Sequence, residues 1–193
     1  RQAWQHAVKQ HSWEELLTVL DTLWFYCEVR TRSLEGLVML QQAEQELKAS
    51  SAGEENELFL GRLLARLSWF YYDIGLVHKS SDASEEAVQI LSRYDHPRDL
   101  LSALYSRQIV ALTHFNFETG AEILQEALSL ARLIGDRSWE GKFLVWTAIL
   151  KVVQNDLDPA RALVEEGLAV FEHLGDYWGA MRPLSVLGDV EES

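Results

Sequence analysis

The hydrophobic pattern along the chain is that of amphipathic helices. Small and apolar residues recur at intervals of three and four, which places them on one face of a helix with 3.6 residues per turn. The clearest run comprises Gly120, Ile123, Leu124, Ala127, Leu128 and Ala131, and a second comprises Ala160, Leu163, Val164, Gly167, Leu168 and Phe171. No alternating run beside a hairpin turn indicates a strand. The pattern predicts an all-α protein.

Start and stop signals divide this pattern into nine or ten helices. Ser12 to Glu15 has the spacing of a capping box, Asp82 to Glu85 resembles one, and Pro97 and Pro159 each occupy a predicted first helical position. Gly135 and Gly175 follow periodic runs and predict helix ends. The expected helices cover 2–10, 12–30, 33–49, 54–75, 82–94, 97–115, 118–134, 137–154, 158–174 and 177–190.

An internal repeat decides how these helices are organised. Residues 120–136 correspond position for position to residues 160–176, so the chain carries a 40-residue period. Weaker copies lie after Gly75 and after Trp24. We expect one domain over 1–193, with irregular repeats over 1–80 and regular 40-residue repeats over about 81–193.

Small residues at matching places predict where antiparallel helices approach one another. Gly75 and Ala87 have the same separation in sequence as Ala148 and Ala160, and this spacing brings the middle of one helix against the start of the next. Each hairpin of such a stack buries its remaining apolar face against the next hairpin. The predicted repeat-packing residues are Gly75, Ala87, Gly120, Ala127, Ala148, Ala160, Gly167 and Gly188.

These small positions resemble those of the tetratricopeptide repeat (TPR), with Ala148, Ala160 and Gly167 at three of its small places. Trp24 and the 40-residue period depart from that repeat. The phrase Leu-Gly-Asp-x-Trp-Gly at 174–179 is similar to repeats of bacterial signal-transduction ATPases and transcription regulators of the MalT/LuxR and AfsR type. The resemblance implies a right-handed α-solenoid of about 9–10 helices that senses or binds partners within a regulator whose nucleotide-binding and DNA-binding domains lie elsewhere.

Composition and charge narrow the class of partner. The net charge of −13 would repel a phosphate backbone, so we expect no direct nucleic-acid binding. We also expect no membrane span, because the apolar run from Phe143 to Leu150 is too short. The single cysteine, Cys27, lies in an apolar run, which favours a buried thiol and a reducing, cytoplasmic setting.

No residue constellation in the sequence predicts catalysis, a metal or a cofactor. The six histidines form no His-Glu-x-x-His motif, and no phosphate-binding loop or nucleophile motif occurs. The paired glutamates lie at helix starts or on polar faces, where they favour the helix dipole and solubility. We therefore predict a protein that is not an enzyme.

The polar faces of the first helix of each pair supply the candidate binding groove. Their candidates are Arg62, Arg66, Tyr72, Arg107, His114, Lys142 and Arg182. The cationic bias of this set fits a ligand that carries carboxylates, although it also fits ordinary helix solubility. We expect a protein or peptide partner, or a neighbouring domain of the same polypeptide. The alternative is a small-molecule inducer held in the groove.

The C-terminal region predicts an exposed edge. Leu184, Val186, Leu187 and Gly188 would form the inner face of a further first helix with no second helix to cover it. We expect an exposed apolar edge there, or self-association through it. Because the chain starts at Arg1 rather than methionine, we also expect it to be part of a longer protein.

Overall fold

The computed structural model describes residues 2–50 and 53–191, and over these residues the only regular secondary structure is helical. The helices are α1 Gln2–Lys9, α2 Trp13–Val29, α3 Ser33–Ala49, α4 Glu54–Asp73, α5 Val77–Leu91, α6 Pro97–Thr113, α7 Phe117–Leu133, α8 Arg137–Val153, α9 Leu157–Leu174 and α10 Tyr177–Glu191. The all-α prediction is confirmed.

The chain forms two compact units, Arg1–Val110 and Ala111–Ser193. In the first unit α4 and α5 form the most extensive hairpin, and α3 packs against α4. The short helix α1 packs on α2 and α3, where the Trp4 indole donates a hydrogen bond of 3.0 Å to the Met39 carbonyl. Helix α6 packs against α4, where the buried Ser106 hydroxyl donates to the Ala65 carbonyl at 2.9 Å.

The second unit is built around α8, α9 and α10. Its core includes Val145, Ala148, Val164 and Phe171, all buried. A Cβ atom at Gly167 would lie 2.9 Å from Val145 Cγ2 and 3.4 Å from the Gly141 carbonyl oxygen, so α8 and α9 approach closely here. A side chain at residue 167 would have to displace these neighbours, so only glycine fits this approach without adjustment.

Two helix ends and the helix starts after them recur 40 residues apart. Gly135 and Gly175 both adopt positive φ, at 70° and 66°. The aspartate after each glycine caps the next helix, since Asp136 accepts from the Trp139 amide at 3.1 Å and Asp176 accepts from the Gly179 amide at 2.9 Å. The same local structure thus recurs in successive copies of the repeat.

The turns between α4 and α5, α6 and α7, and α8 and α9 follow the same period and extend it toward the N-terminus. Gly75, Phe115 and Asn155 follow one another at the same period, and their φ angles are 78°, 57° and 60°. Their residue types differ, so the sequence comparison did not reveal this register. The backbone keeps it because each residue ends a hairpin turn in the left-handed region.

The register of the α4–α5 hairpin differs from the prediction. α5 begins at Val77 rather than residue 82, and α4 ends at Asp73. Ser68 and Ser80 are the residues that meet across the hairpin, where the Ser80 hydroxyl donates to the Ser68 carbonyl at 2.8 Å. These buried serines satisfy each other's polar groups, and Ser80 lies in the first turn of α5.

Gly75 and Gly188 are not packing residues, contrary to the prediction. A Cβ atom at either position would meet no atom within 4 Å. Gly75 instead supplies the positive φ of the α4–α5 turn, while Gly188 is exposed on α10. The remaining predicted packing residues are buried: Ala87, Gly120, Ala127, Ala148, Ala160 and Gly167.

The predicted helix starts are confirmed in part. Pro97 is the first residue of α6, as expected. α9 begins at Leu157, so Pro159 is its third residue. Ser12 does occupy the cap position of α2, but its side chain makes no capping hydrogen bond.

Candidate functional site

Four aromatic side chains form a row along α2, α4 and α6 of the first unit. The Trp24 and Trp69 rings meet edge to face with centroids 6.0 Å apart. Trp69 also contacts Tyr72 at 5.9 Å and stacks on Tyr105 at 6.0 Å. Trp69 is buried, whereas the other three rings are half-buried. We call Trp24, Trp69, Tyr72 and Tyr105 the aromatic row.

Arg66 lies beside this row on α4. Its guanidinium carbon is 5.2 Å from the centroid of the Trp24 ring, which is the geometry of a cation–π contact. Its Nε and Nη2 atoms donate to Asp21 Oδ1 at 3.0 and 2.5 Å. The Arg66 side chain is only 13% exposed, while that of Asp21 is 74% exposed.

The other two candidate arginines of the first unit also have acidic neighbours. Arg62 Nη2 lies 2.5 Å from Asp99 Oδ2, and Arg107 Nη1 lies 4.0 Å from Glu85 Oε1. The cationic bias seen in the sequence is therefore neutralised locally by carboxylates from neighbouring helices. A ligand would meet arginines that are already paired with carboxylates rather than a bare positive surface.

The candidates in the second unit lie on aromatic rings or in a turn. Lys142 Nζ is 4.3 Å from the Trp139 ring centroid, and the Arg182 guanidinium is 4.9 Å from that of Trp146. His114 was predicted on the polar face of a helix. It is exposed but follows the last residue of α6, so it lies in the turn instead. Lys142 and Arg182 therefore share the cation-over-indole arrangement of Arg66 and Trp24.

Three side chains of the first unit have buried polar atoms without a hydrogen-bond partner in the part of the chain that the structure describes, which sequence reasoning did not identify. Trp24 Nε1, Arg62 Nε and both amide atoms of Gln108 have no hydrogen-bond partner among the described residues. Gln108 occupies the place that Ser68 holds in the preceding copy of the repeat and Ala148 holds in the following one. The period could have identified it as a polar residue at a small, buried position.

Cys27 is buried at the end of α2, as predicted. Burial raises the pKa of its thiol, and the nearby Glu35 carboxylate raises this pKa further. A thiol with a raised pKa forms little thiolate at neutral pH and is a poor nucleophile.

The second unit has an ion-pair network outside the predicted set. The buried Glu140 carboxylate accepts from Arg132 at 2.9 Å and pairs with Arg137, and Arg132 also pairs with Glu166 at 2.8 Å. Its hydrogen bond to Glu140 raises the pKa of Arg132. These pairs join α7, α8 and α9 and have a structural role.

A cavity of about 500 Å³ lies in the first unit, where residues of α4 and α5 line it. It is lined by Glu57, Leu60, Glu86, Gln89, Ile90 and Arg93. Within the described ranges no cluster of three or more histidine, cysteine or carboxylate side chains has the geometry of a metal site. No described helix is long and apolar enough to cross a membrane.

No protein-family model and no curated protein matches the chain. Solved structures do match its fold. A Rap protein in complex with competence and sporulation factor superposes with a TM-score of 0.77 at 17% identity, covering 86% of this chain and 46% of the other. A Rap conjugation gene regulator of the plasmid pLS20, in complex with the Phr* peptide, gives 0.65 at 14% identity and covers 88% and 51%.

A third match is a Signal Transduction ATPase with Numerous Domains from Pyrococcus horikoshii, which has a tetratricopeptide repeat sensor. Its TM-score is 0.66 at 17% identity, and the match covers 96% of this chain and 31% of that protein. The chain thus spans about half or less of these proteins. At these identities the likeness concerns the fold, which is TPR-like as predicted.

Proposed function

We propose that this chain is a non-catalytic scaffold that binds a peptide or a protein through the aromatic row and Arg66. The observation that carries the proposal is the placement of half-exposed rings on three consecutive first helices, α2, α4 and α6. Aromatic and arginine side chains supply most of the binding energy at protein interfaces. A continuous row of them across helices provides a surface for an extended partner.

The structural matches support a peptide partner. One matched Rap structure contains competence and sporulation factor, and the pLS20 regulator contains the Phr* peptide. These ligands belong to those proteins, and their chemistry does not transfer at such low identity. They support the general use of a fold like this one for peptide binding.

We further propose that the chain acts inside a larger cytoplasmic regulator, as the resemblance to the MalT/LuxR and AfsR type implies. The match to a repeat sensor within a much longer signal-transduction ATPase supports this context. In such a protein a neighbouring domain of the same polypeptide is the second class of partner for the scaffold.

A displayed peptide library tests the binding function. We expect the chain to enrich peptides whose affinity falls about tenfold or more in Tyr72→Ala, because truncating an interface ring typically costs at least about 1–2 kcal/mol. Tyr177→Ala is the matched control, since Tyr177 is 87% exposed on α10 of the second unit. Circular dichroism should show equal helix content in both variants. No enrichment, or equal loss in both variants, would contradict the proposal.

A further inference from the structure

Arg66 is held in place before any ligand arrives. Its side chain is largely buried, and its guanidinium lies over the Trp24 ring at 5.2 Å. Burial and ring contact restrict the rotamers of a long side chain, so the entropy of ordering it is already lost on folding. A group that binds Arg66 therefore meets a pre-oriented donor.

The Asp21 carboxylate, which accepts the hydrogen bonds of Arg66, can readily be replaced by another carboxylate. The Asp21 side chain on α2 is 74% exposed. The Nε and Nη2 groups of Arg66 both donate to a single oxygen of this carboxylate, Oδ1. A carboxylate as exposed as this one regains its hydration when it leaves, and ion pairs of exposed groups contribute little. Asp21 thus covers the guanidinium without being buried against it.

The aromatic rings near Arg66 determine which ligand groups could replace Asp21. Trp24 contacts Trp69, which in turn contacts Tyr72 and Tyr105, so rings extend from the guanidinium across α4 to α6. A ligand with a carboxylate and an adjacent aromatic side chain would use both features. Carboxylates are the groups that a guanidinium fork binds with the best geometry.

We propose that Arg66 anchors the glutamate or aspartate side chain of a peptide ligand, and that Asp21 is an internal competitor which the ligand displaces. An aromatic residue beside that acid packs on the half-buried rings of Tyr72 and Tyr105. This inference rests on the proposed peptide-binding function and names the chemistry of the ligand. Removing the negative charge of Asp21 should then strengthen binding.

The test uses two defined peptides, acetyl-Phe-Glu-Phe-amide and its glutamine counterpart, titrated into the protein and followed by the indole NMR signals. We expect the glutamate peptide to bind about two- to fivefold more tightly to Asp21→Asn than to the unmodified protein, because a surface ion pair no longer competes. Arg66→Gln should remove both the preference for glutamate and the effect of Asp21→Asn. Both variants should keep their helix content.

Glu46→Gln is the matched control, because it makes the same change in net charge at an exposed site on α3. Equal tightening in Glu46→Gln and Asp21→Asn would overturn the inference in favour of a general charge effect. Equal affinity for the two peptides, no gain in Asp21→Asn, or tighter binding of a free C-terminal carboxylate in acetyl-Gly-Phe would also overturn it. Enrichment of peptides without acids in the library would leave the scaffold function standing while refuting the acid anchor.

Discussion

Gln108 is completely buried in α6, and neither polar atom of its amide has a hydrogen-bond partner among the described residues. A buried amide without partners loses its hydration and gains nothing in return. The repeat carries Ser68 and Ala148 at the equivalent places, and both are fully buried. Gln108 is thus a large polar side chain at a repeat position where the neighbouring copies have small residues.

Replacing Gln108 by methionine should stabilise the protein. The side chains are similar in length and volume, so the substitution removes the unpaired amide without opening a cavity. We expect the free energy of unfolding to rise by about 1–2 kcal/mol. Urea unfolding followed by circular dichroism measures this. A loss of stability would show that Gln108 has a polar partner, such as a buried water.

Cys27 should react slowly with alkylating reagents in the native protein. The residue is 1% exposed, and burial raises the pKa of its thiol above the ordinary value of 9.0. We expect iodoacetamide labelling at pH 8 to be at least about tenfold slower than in guanidinium-unfolded protein. Mass spectrometry of timed samples gives both rates, and equal rates would contradict the buried assignment.

The same thiol makes stability depend on alkaline pH. The pKa is raised in the folded state, so the unfolded chain loses its thiol proton first as pH increases. The stability contribution is present below the unfolded pKa and declines as pH rises above about 9. Melting curves at pH 7 and 9.5 should show a smaller loss for Cys27→Ala than for the unmodified protein. An identical loss would exclude Cys27 as its source.

Among the helices, those with strong periodicity were predicted within a few residues. The α7 and α9 runs repeat in sequence, and their spans of 118–134 and 158–174 correspond closely to Phe117–Leu133 and Leu157–Leu174. α5 was placed too late in the chain because Asp82 to Glu85 resembles a capping box, whereas the helix begins at Val77. In the structure the Ser84 hydroxyl donates to the Ser81 carbonyl and Ser80 bonds Ser68, so both serve inside the helix.

The candidate site was predictable only as a list of residues. The sequence indicated Arg66 and Tyr72 as groove residues because they lie on polar faces of a first helix. It could not show that Asp21 neutralises Arg66, since that pair joins residues 45 positions apart on α2 and α4. Contacts between helices depend on packing register, which periodicity alone does not specify.

The α2–α3 turn offers a test of the left-handed helix ends. Thr31 has φ of 53°, a conformation that is unfavourable for a β-branched residue. Thr31→Gly should stabilise the protein by about 0.5–1 kcal/mol, since relief of strain outweighs the greater entropy of an unfolded glycine. Thermal unfolding measures the change. Gly175→Ala, at φ of 66°, is the reciprocal control and should destabilise.

Helix α10 exposes an apolar face whose counterpart on α8 is buried. On α8, Gly141, Leu144 and Ala148 are buried. At the equivalent places of the next repeat Met181 and Leu184 are 60% and 55% exposed, and Gly188 is exposed as well. Of the predicted edge, Leu184 and Gly188 are therefore exposed. Val186 is instead buried in the core of the second unit, and the half-buried Leu187 packs against that core, so the prediction is wrong for these two residues. The use of the exposed positions in self-association remains our proposal.

We expect this chain to associate at high concentration through the α10 face. The double variant Met181→Glu/Leu184→Glu should stay monomeric, because it places two charges on the apolar surface. Light scattering after size exclusion measures the mass over a range of concentrations. Leu133→Glu, at a side chain that is 82% exposed on α7, is the control. A chain that is monomeric at every concentration would refute self-association.

The turn glycine and the aspartate cap recur one period apart, at Gly135-Asp136 and Gly175-Asp176, and this recurrence has a genetic consequence. A tandem duplication of the codons for residues 136–175 would join Gly175 to a second copy of Asp136, which re-creates the existing junction. The added segment would bring its own cap, its own turn and both helices of a hairpin. Unequal recombination can therefore change the number of hairpins in this region without creating a new kind of helix boundary.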